Sequence, residues 1–364
     1  MKWSTSLEKV IVGCLLMAFL ASCQNNEPET SVAQLTAVPE PQATMAHTAT
    51  ATTVPPTPSP TNTSQPTPSP TATQEATVTP TPEPMFTELF IIRKANDNLK
   101  NPGGIATDSQ DNLYVWDAGN SRLLKYNSDG ELLQSWESQG SGEGEFNSLG
   151  FGGIAIDNSD NLFVVDNGNH RIQKFDSAGS FVTQWGSRGM DDGQFQRAIG
   201  IAVDDDGLVY VTDDARPEIQ VFDSDGNFIR KWGSRGSGDG EFQHPTGIAV
   251  DADGNVYVAD YENKRVQKFD SRGNFLLSWG MTVDSGGTPE GIGVDNDGRL
   301  YITDYDRGRV EIYTADGGFI TAWRGGPSVR FNRPVAVDFD SAGNVYVSNQ
   351  ASNSVQKFAL PPLP

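Results

Sequence analysis

Carboxylates at fixed spacings are the first candidates for chemistry in this 364-residue chain. Asp117, Asp166, Asp213, Asp260 and Asp304 each end a short apolar run, and Asn349 stands at a sixth such place. Five residues after each comes Arg122, Arg171, Arg265 or Arg309, with Glu218 and Ser354 breaking the series. Ion-binding carboxylates would not recur in every unit at one spacing. These residues are expected instead to accept hydrogen bonds from backbone N–H groups of the following loop and to pair with the Arg. Asp-rich turns such as Asp204-Asp205-Asp206-Gly207, Asp251-Ala252-Asp253-Gly254 and Asp295-Asn296-Asp297-Gly298 resemble the first half of a calcium loop. The next residues already read as strand, and Asp or Asn before Gly is hairpin chemistry, so no metal is expected there.

Nucleophiles and soft ligands are scarce. The two cysteines, Cys14 and Cys23, lie near the amino end, and no Gly-x-Ser-x-Gly elbow occurs. Of the three histidines, His47 precedes the patterned region; His170 and His244 sit in loops and are too few for a three-His zinc site. Acids such as Asp108 and Asp157 recur too often to be singled out, which leaves a lactonase-like metal site at a channel mouth as an alternative. No cofactor is expected, and an enzyme is the lesser expectation.

Arginine offers another chemistry, the bidentate grip on carboxylate or phosphate. Arg188, Arg197, Arg216, Arg235, Arg307, Arg324, Arg330 and Arg333 fall in one class of loop. Arg188, Arg235, Arg307, Arg330 and Arg333 are the candidate partner-binding residues.

The elements that must position these groups form a repeat. The phrase GIATD at Gly104 returns at Gly153, Gly200, Gly247 and Gly291, and as VAVD at Val335, with starts 49, 47, 47, 44 and 44 residues apart. Each unit holds four alternating or β-branched runs separated by Gly, Asp or Asn, which reads as a four-stranded antiparallel sheet. A period in the forties with four strands per unit predicts a propeller. The order G-I-A-V-D, Y-V-x-D, N-x-R-[VI]-Q-x-F and W-G over about residues 86–358 resembles the NHL repeat family. That resemblance implies an all-β, six-bladed β-propeller, a scaffold that hosts many functions.

The sixth unit runs out after three strands, and the unassigned run 86–92 is expected to close the ring as the outer strand of blade six. Trp136, Trp185, Trp232, Trp279 and Trp323 end the outer strands, where packing is their expected role. Loops joining first to second and third to fourth strands carry the Asp-Gly turns and make one face acidic. The other face, with its arginines around the channel mouth, is expected to be near neutral.

Residues 1–22 read as a lipoprotein signal: Lys2 and Lys9 precede an apolar run too short to span a bilayer, and Leu20-Ala21-Ser22-Cys23 resembles a bacterial lipobox. Lipid on Cys23 would anchor the chain without a membrane span. Residues 23–85 are rich in Thr and Pro and read as a disordered stalk; residues 86–364 form the propeller. From residue 86 onward 24 Lys or Arg face 41 Asp or Glu, a net charge of −17 that repels nucleic acid. The sum of these readings is an extracytoplasmic, lipid-anchored, monomeric binding module for a protein, peptide or glycan. A sensory head acting with a separate signalling protein is a further alternative.

Overall fold

A computed structural model describes residues 86–93, 97–148, 150–282 and 286–363. The expected signal segment, Cys23 and the stalk lie outside these residues.

Six four-stranded antiparallel sheets form the blades of a propeller. The inner strands are Pro102–Thr107, Ile154–Ile156, Ala198–Val203, Pro245–Val250, Pro289–Val294 and Pro334–Phe339. Blade six is completed by Thr87–Arg93, which pairs antiparallel with Ser354–Ala359, so its first strand in sequence is its outermost in space.

Hydrophobic burial between blades supplies the core. Tyr114, Trp116, Val164 and Phe175 meet between blades one and two, and Val211, Phe222 and Phe195 between two and three. Each outer-strand Trp lies against the neighbouring blade: Trp185, for instance, sits on the turn Gly226, whose φ is +87° and whose added Cβ would come within 2.5 Å of the indole. Glycine is required there both by the left-handed backbone and by the ring. In blade six Ile92 takes the Trp register opposite Val355, and Phe90 covers Gly130 of blade one instead. Phe86 stacks on Trp323 at 4.0 Å.

The recurrent glycine before Ile-Ala has a different cause. Inner strands converge on the axis, and a Cβ on Gly247 would lie 2.4 Å from the Glu290 carbonyl, one on Gly291 2.3 Å from the Val335 carbonyl. Blade six departs from the expected phrase. Pairing of Val337 with Val347, like Ile105 with Val115, aligns Ala336-Val337 with Gly104-Ile105. The turn aspartate is therefore Asp340, and Asp338 occupies the place of the small Ala106. The VAVD motif lies two residues ahead of its expected register because the strand continues through Asp338 to Phe339 before the turn at Asp340.

The strand-ending aspartates organise loops, chiefly those entering the blade rather than those following. Asp166 accepts from Asn147 N at 2.8 Å, Asn169 Nδ2 at 2.8 Å and Arg171 Nε at 2.8 Å, and Arg171 donates onward to the carbonyls of Ser141, Gly142 and Glu145. Blade three, lacking that Arg, uses Arg216, which reaches the carbonyls of Asp191 and Gln194 and pairs with Glu218 at 2.6 Å. The Asp-Gly turns close on themselves: Asp204 accepts from Leu208 N at 2.8 Å and Tyr210 Oη at 2.9 Å. Turns of this class carry 19 carboxylates and two arginines, Arg272 and Arg299.

Candidate functional site

Three repeat positions converge on the end of the channel opposite the Asp-Gly turns. They are the residue before the inner strand, the residue before its constricting glycine, and the residue after the strand-ending Asp. Neighbouring positions hold nearly constant residues for the reasons given above, whereas these vary from blade to blade. The second position, for example, runs Gly103, Gly152, Ile199, Thr246, Glu290 and Val335.

A cavity of about 190 Å³ opens there, lined by Phe151, Asn167, Arg197, Ile199, Asp214, His244, Thr246, Tyr261, Glu290 and Tyr305. Arg197 forms a fork with Asp214, its Nε 2.6 Å from Oδ1 and Nη2 on Oδ2. This hydrogen bond is the main cause that raises the Arg197 pKa, ahead of the opposing effect of burial. Phe151 meets Tyr305 edge-on at 6.0 Å, Tyr305 meets Tyr261 at 6.3 Å, and Tyr305 Oη donates to Gln350 Oε1 at 2.8 Å. The Arg333 guanidinium lies 5.4 Å from the Tyr305 ring centre. Asn167 Nδ2 donates to the Phe151 carbonyl.

Glu290 forms the floor. Thr246 Oγ1 donates to its carbonyl at 2.9 Å, fixing the main chain. Its side chain is buried, at 6% exposure, and its carboxyl has no hydrogen-bond partner among the described residues. Burial pushes its pKa from 4.5 to about 8, with the negative charges of Asp214 and Asp306 adding to the effect. Burial likewise takes Tyr261 up to about 12, with Asp306 and Glu290 adding.

Below the mouth, Ile105, Ile154, Ile201, Ile248, Ile292 and Val337 make an aliphatic collar that borders the lumen on both sides. Beyond it a second space of about 210 Å³ contains Asp338. Thr107 Oγ1 donates to the Asp338 carboxylate at 2.9 Å, yet burial outweighs this bond and raises its pKa to about 7.

The structure disperses the five candidate arginines. Arg188 and Arg235 lie exposed three residues past Trp185 and Trp232, at the rim where each loop leaves an outer strand. Arg307 donates to the Gly286 carbonyl, and Arg330 is exposed beside its backbone partner Gly325. Arg333, immediately before an inner strand, reaches the mouth, as does Arg197. A loop between blades runs from rim to axis, so position within it sets distance from the channel; arginines around the channel mouth are confined to those at the loop ends. His244 is not merely a surface loop residue, because it lines the cavity, whereas His170 does not.

Glu290, Tyr261 and Tyr305 carried no motif. Aligning the six units and reading the variable columns beside constant ones would have found them. Among the described residues no group of three or more His, Cys, Asp or Glu side chains is arranged to hold a metal ion.

Residues 190–279 match a family model for 6-bladed beta-propellers, and residues 152–175 and 287–313 match the NHL repeat. The chain is thus a six-bladed propeller carrying NHL repeats. A solved streptogramin B lyase is 12% identical over 74% of this chain and 97% of its own, with a TM-score of 0.56. A gluconolactonase from Xanthomonas campestris is 19% identical over 77% and 89%, also with a TM-score of 0.56. A virginiamycin B lyase from Staphylococcus aureus, with quinupristin, is 15% identical over 75% and 87%, with a TM-score of 0.54. At these identities the likeness shows the fold alone. No curated protein matches the chain.

Proposed function

We propose that the protein is an extracytoplasmic binding module, tethered to a bacterial membrane through lipid on Cys23, that receives a ligand or a partner's side chain at the channel mouth. The supporting observation is that mouth itself: a concave, aromatic-walled space with a few convergent polar groups, built at repeat positions that differ from blade to blade. The lipobox-like segment and the Thr/Pro-rich stretch supply the tether in this reading. A protein, peptide or glycan large enough to extend from the mouth would also meet Arg333 and, at the rim, Arg188 and Arg235.

The test is a thermal-shift panel of alkylammonium salts, acetate, neutral sugars and short peptides against the purified protein and two variants. One changes the mouth (Tyr305→Leu); the other changes the rim (Arg188→Ala with Arg235→Ala). A melting rise lost only in the mouth variant supports the proposal. No rise with any class, or loss only in the rim variant, overturns it.

A second reading, a lyase- or lactonase-like enzyme at the same mouth, draws on Glu290. A carboxyl titrating near 8 is in the range useful for proton transfer near neutral pH. Turnover of a gluconolactone or of quinupristin abolished by Glu290→Gln would favour it over binding alone.

A further inference from the structure

We infer that the channel mouth takes an alkylammonium group, with Glu290 as its counter-ion and Phe151, Tyr261 and Tyr305 as aromatic walls. This rests on the binding reading above and names the chemistry of the ligand.

Charge compensation carries the argument. Arg197 already has its carboxylate in Asp214, through two hydrogen bonds. Arg333 lies over Tyr305. Glu290 is the buried group at this site whose carboxyl meets the cavity without a partner among the described residues. A buried carboxylate needs a paired cation or a proton. An ammonium group fits the space because its charge would meet the carboxylate while its bound CH₂ groups lie against ring faces, which also attract cations. An anion would confront Glu290, with Asp214 and Asp306 close enough to perturb it.

The remaining titratable or charged neighbours are His244 and Tyr261 on blade four, Tyr305 and exposed Asp306 on blade five, and Arg333 entering blade six. With the acid at about 8, a ligand that requires the carboxylate sees about 3% of it ionised at pH 6.5 and about 90% at pH 9. A lysine-type ammonium, with a pKa of about 10.4, stays charged across that range. Its affinity is therefore expected to rise about 30-fold.

The experiment is calorimetric titration of the whole protein with n-butylammonium chloride and with Nα-acetyl-lysine amide, at pH 6.5, 7.5 and 9. N-acetylglucosamine and sodium acetate are run in parallel. Ammonium binding that strengthens with pH, and falls at least tenfold in Glu290→Gln while that variant keeps the parent's melting temperature at pH 4, supports the inference. Tyr305→Leu should weaken it as well, and Tyr305→Phe should retain it. Tighter binding of the lysine amide assigns the group to a peptide; equal binding assigns it to a small amine. Sugar binding at the mouth that weakens as pH rises, with the ammonium probes silent, overturns the inference and leaves the binding reading standing. Silence from every probe class overturns both.

Discussion

Replacing Glu290 by Gln tests the floor of the mouth through stability, without any ligand. The carboxyl titrates ordinarily near 4.5 and, folded, near 8. A raised acid pKa means the folded state holds the proton more tightly, so folding is favoured below the ordinary value and progressively disfavoured as pH climbs. Below about pH 4.5 the acid is neutral in both states, and wild type and variant should differ little. Between pH 4.5 and 8 the wild type should lose stability relative to Gln, and above 8 the difference should level off. At about 1.36 kcal/mol per pH unit, the interval from 4.5 to 7 amounts to about 3 kcal/mol. Water reaching the carboxyl from the mouth makes that an upper figure. Urea unfolding at pH 4, 5.5, 7 and 8.5 checks it, because all other titrating groups are common to both proteins and cancel in the difference. A wild type and variant whose stabilities run parallel from pH 4 to 8.5 would refute the placement of Glu290 in a site that shuts out most solvent.

Blade three supplies an independent test. Arg216→Ala leaves half-buried Glu218 with Lys231 at 3.7 Å as its remaining cation and releases the carbonyls of Asp191 and Gln194, at a cost of about 2 kcal/mol in urea unfolding. Adding Glu218→Arg restores the arrangement of Arg171 and Arg265 and should recover more than half of that loss; no recovery would refute the equivalence of the two loops. Deleting residues 86–93 exposes the edge of Ser354–Ala359 and removes Phe86, Phe90 and Ile92 from their neighbours. The cooperative melting transition should disappear in scanning calorimetry, and an unchanged transition would contradict the role of that strand. Cys23→Ser should move the protein from the detergent phase to the aqueous phase of a cell extract and abolish labelling by radioactive fatty acid; persistence of label would refute the proposed tether.

What the sequence made legible follows from which constraints repeat. Glycine at the axis, Trp at the outer edge and Asp at the second strand's end answer the same demand in blades one to five, so the repeating architecture could be read from them. Arg216 shows the limit: a guanidinium was needed in one place, and a residue two positions earlier met the need, which no spacing rule reveals. Asp338 shows another, since a turn aspartate and a channel aspartate look alike until pairing fixes the register. The mouth was illegible for the opposite reason from the fold. Its residues have no common demand to meet, and their variation resembles loop noise unless the units are aligned by their constant neighbours. Radial position was hidden too, so Arg188 and Arg333 carry the same sequence signal although one sits at the rim and the other at the axis.

The closing strand has a directional consequence. Thr87 pairs with Ala359 at the Asp-Gly end of blade six, and the strand runs from there toward the face that bears the mouth. Thr87 therefore lies on the Asp-Gly face, and the strand carries the chain across the blade to the opposite end of the channel. With 19 carboxylates among its turns, that face would be repelled by any anionic surface within about 8 Å, a screening distance that lengthens as salt is diluted. The acidic turns and the mouth thus lie at the two ends of the one strand that blade six borrows from the start of the propeller.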